Sequence, residues 1–237
     1  MKTLLILIVG VLLPIQLLAE TTVNININGK DISNLLKQLS TTEMIVGSGV
    51  EKKEIRNVNM FNGISMNIGG DVQVKYGKKP IIHIVADENI LSMISTDVIN
   101  GSLKISSTGS FSSKSGVKIN IEVPNITSVA NNGSGKITIN SVAQNKLSIS
   151  LNGSGSAKAI GSVADLSGKI NGSGNLMLKM LKVSNCDMKI NGSGTAFVSV
   201  ANELSVKING SGGILYYGEP KELTSKVNGS GSIRQGN

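Results

Sequence analysis

The sequence predicts an all-β protein: a right-handed parallel β-helix-like solenoid of ~18–20-residue coils with an irregular N-terminal β region. Two observations carry this. The tetrapeptide Asn-Gly-Ser-Gly begins at Asn132, Asn152, Asn171, Asn191, Asn209 and Asn228, in steps of 20, 19, 20, 18 and 19 residues. A near-constant period of this size marks a solenoid, in which each repeat rests on the last. Between the motifs, apolar residues alternate with Lys and Ser. Counting back from Asn152, positions one, three and five are Leu151, Ile149 and Leu147, and before Asn191 they are Ile190, Met188 and Cys186. Period-two alternation is the mark of a half-buried strand.

Each repeat therefore reads as strand, sharp corner, strand, and a looser third side holding Val142, Val163, Val183 or Val200. The corner needs residues that adopt positive φ, which Gly does freely and Asn better than most. Coils stacked about 4.8 Å apart would let the six motif asparagines hydrogen-bond up and down as a ladder. A lone coil buries too little apolar surface to offset the entropy of ordering it, so only stacking makes it fold. Every Asn-Gly-Ser is formally a glycosylation sequon, but glycans on corners this close would collide. Calcium-binding rolls need a recurrent Asp after the turn. Here that residue is Lys136, Ser156, Asn175, Thr195, Gly213 or Ser232.

Taken from the start, residues 1–19 read as a secretory signal peptide. Lys2 precedes an apolar run from Leu4 to Leu13, and a small residue, Ala19, stands before the expected cut. The run is short of the about 20 residues a spanning helix needs, and no later segment is apolar for long enough. Residues 20–44 form a leader or stalk. VNININ alternates as a strand, and DISNLLKQL is a helix candidate with Asp31 at its N-cap. Residues 45–237 are then one β-solenoid domain. Its front, 57–130, lacks the motif spacing but stays strand-like, with a short helix after Asp87, and is expected to supply irregular first coils that cap the stack.

Composition narrows the function. The 237 residues carry a formal charge of +8, with one Cys, one His and no Trp. Without Lys2 the balance is 22 basic against 15 acidic residues, a net of +7, which favours anionic partners such as an acidic polysaccharide or another cell-envelope polymer. Cys186 has no partner for a disulfide and falls at an inward position, as a small buried hydrophobe. His83 lacks a second His or a Cys to share a metal, and no cofactor is expected. Nucleic-acid binding is disfavoured by 3% aromatic content, since bases stack on aromatic rings.

In a stacked solenoid, equivalent positions form columns. Two before each Asn the residues are Ser150, Lys169, Lys189, Lys207 and Lys226. Like charges in register repel. Two readings stand: a cationic stripe for an anionic polymer, or a solubilising row that discourages edge aggregation. Two after each motif lie Thr138, Lys158, Met177, Phe197, Leu215 and Arg234. Met177, Phe197 and Leu215 would make an apolar strip, either a partner or homo-oligomer surface or a strip that a loop covers. Six before Asn, Glu203 and Glu222 fall on adjacent coils, near the about 5 Å carboxylate spacing of retaining glycosidases. Solvated charges explain them better, because little aromatic surface is at hand to hold a sugar.

The ordered series FNGISMNIGGDVQVKYG, VADENIL, GSLKI, VPNITSV and the serial Gly-Ser-Gly corners resembles the head GIN domain of auto-transporter adhesins, over roughly residues 45–237. The resemblance implies an exported β-helical adhesin with no catalytic residues to carry over. Many relatives follow the corner with Asp, and none of these six corners does. The expected protein is a non-catalytic surface or envelope protein that is secreted, on the cell surface or periplasmic. It would act by adhesion or anionic-polymer binding, or alternatively as a self-associating structural module.

Overall fold

The computed structural model describes residues 26–27, 30–31 and 44–237. The signal segment and the helix expected over DISNLLKQL lie outside them. In the leader, Asn26–Ile27 pairs antiparallel with Lys30–Asp31.

From Met44 onward the chain is a β-solenoid of about five turns. Lys136–Gly153, Ser156–Gly172, Asn175–Gly192 and Thr195–Gly210 lie parallel and in register, each on the next. Gly213–Tyr217 and Glu222–Asn228 add one more coil, and Ser232–Gln235 begins a further one on Gly213–Tyr217. The register shifts between Ile139 and Val142, again between Lys158 and Gly161, and twice in the next pair, between Leu178 and Lys182 and between Val183 and Asn185. A bulge of this kind bends a strand, here towards the looser third side. The inward positions predicted by alternation are buried throughout, from Leu147, Ile149 and Leu151 to Leu204, Val206 and Ile208. Gly168 interrupts the apolar pattern for a packing reason. A Cβ there would lie 2.3 Å from Met188 Cε, so the small residue of one coil makes room for the large one of the next.

The corners depart in detail from the sequence expectation. In five of the six corners positive φ falls on the first glycine of the motif, +126° at Gly192, and not on the asparagine; Gly133 is the exception. A Cβ on Gly192 would sit 2.5 Å from the Gly172 carbonyl oxygen, and one on Gly194 would sit 2.6 Å from that of Gly174. Both glycines are thus required, one for its dihedral and both because successive corners touch backbone to backbone. Asn is freed to serve the ladder.

The front is built out of chain order. Gly63–Met66 and Asp71–Tyr76 form the coil next to Ser128–Asn131 and Lys136–Ile139. The later segments Ser102–Ser107 and Lys118–Val123 form the coil beyond it. The chain therefore makes its second coil on the far side of its first before jumping back to start the regular stack. Three antiparallel strands close this end: Ile94–Ile99 on Ser102–Ser107, Ile81–Asp87 on Lys118–Val123, and Glu51–Asn57 on Ile81–Asp87. The short helix Glu88–Leu91 follows Asp87 as expected. The outermost strand reads EKKEIRN, a charged edge that discourages further strand addition.

Candidate functional site

The coil pairing turns sequence columns into physical ones. Asn152 Nδ2 donates to Asn132 Oδ1 at 2.7 Å, and Asn171, Asn191, Asn209 and Asn228 each donate to the previous rung at 2.7–2.9 Å. The ladder continues one rung further than the motif, because Asn132 donates to Asn67 Oδ1 at 2.8 Å. Residues Asn67-Ile68-Gly69-Gly70 are a degenerate first corner, displaced 65 residues from the next. The sequence signal was an Asn followed by paired glycines after an alternating strand.

Beside this ladder, Lys169, Lys189, Lys207 and Lys226 pair residue for residue on four successive coils, all exposed. Only Lys189 meets a carboxylate among the described residues, Asp187 at 2.9 Å. Two residues further along the same face run Ser148, Ser167, Asp187, Ser205 and Thr224. Two beyond those run Lys146, Asp165, Asn185, Glu203 and Glu222. An open groove of about 390 Å³ follows these outer columns, with Asp165, Asp187 and Glu203 among its walls. The face is thus striped: amide, cation, hydroxyl, carboxylate.

Met177, Phe197 and Leu215 also fall in one register column, between Lys158 and Arg234. Met177 is 36% exposed and the other two are half-buried. Reaching past the intervening coil, Lys179 Nζ lies 3.8 Å from the centre of the Tyr217 ring, an arrangement that ring quadrupoles favour. Glu203 and Glu222 are exposed register neighbours. Cys186 is buried, and burial, followed by the charge of Asp187, pushes its thiol up to about 12. It is a protonated core residue, without the thiolate a nucleophile needs. His83 lies opposite Asn120 and Ile55 in the capping sheet. No group of His, Cys, Asp or Glu suited to a metal occurs among the described residues.

Sequence reasoning missed the polar centre of the front. Asp87 is fully enclosed. Its carboxylate accepts from Ser113 Oγ at 2.5 Å, Ser115 Oγ at 2.9 Å, Gly49 N at 2.8 Å and Lys114 N at 2.9 Å. Donation from the Ser113 hydroxyl, helped by Ser115 and the Gly49 N–H and opposed by burial, holds the carboxyl at about 2 instead of 3.8. Such a fully satisfied carboxylate ties two loops and a strand end together. Further along the edge strand, opposite Ile82, Arg56 donates to the Ile94 and Leu91 carbonyls at 2.5 and 3.0 Å. Only the helix after Asp87 was legible beforehand.

Fold and columns define a class: β-solenoids whose faces repeat one side-chain type per coil and offer extended surfaces in place of a single deep pocket. Within that class, the chain belongs to the family described as "Putative auto-transporter adhesin, head GIN domain", whose profile matches residues 60–220. Several solved structures are similar to the chain, two of them as follows. A "putative adhesin" from Bacteroides fragilis has a TM-score of 0.68 at 21% identity, over 81% of this chain and 99% of its own. A "putative lipid binding protein" from Parabacteroides distasonis has a TM-score of 0.55 at 21% identity, over 82% and 100%. No curated protein sequence matches the chain. Family and neighbours carry the names of adhesins or a lipid-binding protein and not of enzymes. No described helix is long and apolar enough to cross a membrane.

Proposed function

We propose that the protein is an exported, non-catalytic adhesin that attaches to an anionic cell-envelope polymer through its lysine column. The observation that carries this reading is the register of Lys169, Lys189, Lys207 and Lys226, exposed on consecutive coils, with one carboxylate contact among the four. Unit charges about 4.8 Å apart repel by up to about 1 kcal/mol per pair in water before salt screens them. A polyanion laid along the column relieves that repulsion and releases its own counterions. Solubility alone would be served by lysines scattered over the surface; a register-matched row suits a ligand with repeating charge. Asp165, Glu203 and Glu222 in the column beyond the hydroxyl row would repel the same polymer, so it would lie on the Lys and Asn side of the face. Export rests on the signal-like N-terminus together with the family's adhesin description.

The test is binding of the full mature chain to polygalacturonate. The variant with all four column lysines changed to Ser should lose salt-sensitive binding, and unchanged binding would sink the reading. A second reading, self-association, is favoured by the exposed Met177 and by Leu223 and Val227. The latter two are core positions that stand 43% and 39% exposed in Glu222–Asn228. A monomer at high concentration in light scattering would count against it.

A further inference from the structure

The boundary between the front and the regular stack leaves a step. Asp71–Tyr76 pairs with the coil above only as far as Val74 opposite Ile139. There the upper coil bulges at Asn140 and Ser141 and turns away. The lower chain runs straight on, Lys75 and Tyr76 remaining paired with Glu122 and Val123 beneath. Because the upper coil turns two residues early, a cleft of about 400 Å³ opens in the angle, with Tyr76, Pro124, Asn125, Asn140, Ser141 and Gln144 on its walls.

Its chemistry is specific. Tyr76 is 67% exposed, though an aromatic ring normally gains by burial. The same cleft is lined by polar groups with free capacity. Gln144 Nε2 is engaged by the Ile126 and Lys146 carbonyls, which leaves Oε1 to accept. Asn140 Nδ2 makes a long contact of 3.4 Å to Gln73, and the Asn125 and Ser141 side chains make no hydrogen bond among the described residues. Ser141 holds φ at +61°, one of two non-glycine residues at positive φ among the described residues, and such strain gathers where geometry serves a ligand. The one charged side chain on the walls, Lys75, is neutralised by Glu122 at 3.0 Å.

We propose that this cleft binds one neutral pyranose ring of a glycan, its apolar face on Tyr76 and its hydroxyls on Asn125, Asn140 and Gln144. A flat ring beside amides that both donate and accept matches a sugar, which is apolar on its faces and polar at its rim. The absence of an unpaired charge selects a neutral sugar. The site extends the adhesin reading but does not depend on the lysine column, so the two fail separately.

The test is saturation-transfer NMR of the mature chain with methyl glycosides of glucose, galactose, mannose and N-acetylglucosamine. At least one should receive saturation. Tyr76→Ala should weaken it by about tenfold or more, and Tyr76→Phe, which keeps the ring, by less than about threefold. The variant lacking the four column lysines should bind the sugar unchanged while losing polygalacturonate. Saturation of none of the four glycosides, or equal affinity in Tyr76→Ala, would overturn the proposal.

Discussion

The stack from Lys136 to Asn228 and the front from Glu51 to Asn131 use the same strands to opposite ends. In the stack nearly every residue meets its counterpart one coil away, Asn on Asn and Gly on Gly. In the front, neighbours in space come from distant and inverted stretches, and the ladders run in both directions. Stack order is therefore held by repetition of backbone contacts, each weak and all alike. The front is held by a few singular side chains, Asp87 and Arg56 above all. A repeating scaffold presents columns, whereas an irregular one presents a cleft where it meets the scaffold.

The contrast should break most sharply at the corners. Gly192→Ala puts a Cβ 2.5 Å from a backbone oxygen at φ +126°, and nothing flexible can yield. It should cost about 3 kcal/mol in denaturant unfolding. Gly133→Ala, in the corner that faces the front, meets nothing closer than 3.7 Å and should cost less than about 1 kcal/mol. Equal losses would mean that corner contact is not what distinguishes the regions.

Next comes Asp87. Asp87→Ala leaves the Ser113, Ser115 and Gly49 donors without their acceptor and should lower the Tm by about 5 °C or more. Since its carboxyl is held below the ordinary value, its contribution is complete above about pH 4 and lost as pH falls from about 4 to about 2. Hydrogen exchange in the front should quicken over that window in the wild type, and less steeply in Asp87→Asn. A flat wild-type profile would remove Asp87 from this role. The smallest effect belongs to Asn191→Ala. It deletes two exposed amide bonds and should cost about 0.5–1.5 kcal/mol by thermal unfolding, with the neighbouring rungs intact.

How far the sequence was legible follows the same division. The corners, the inward positions and the lysine column could be read because each recurs, and recurrence survives any single irregular residue such as Gly168. The Asn67 corner escaped because an insertion carries the next rung 65 residues away and Ile stands where the motif has Gly. The Asp87 cradle was illegible because its donors lie 26 to 38 residues distant in loops without period. The cleft beside Tyr76 depends on where one coil turns relative to another. Alternation records which face a residue takes but not where the chain turns.

The proposed binding rests on the ordered lysine column and not on net charge. The direct measurement is polygalacturonate affinity, by calorimetry across salt concentrations, for a variant of unchanged charge. In it Lys169, Lys189, Lys207 and Lys226 become Ser, while the exposed Asn59, Ser112, Ser154 and Ser184, drawn from separate columns, become Lys. Binding should be lost as fully as in the variant lacking the four lysines. Affinity and salt dependence equal to the wild type would contradict it and leave charge alone as the cause.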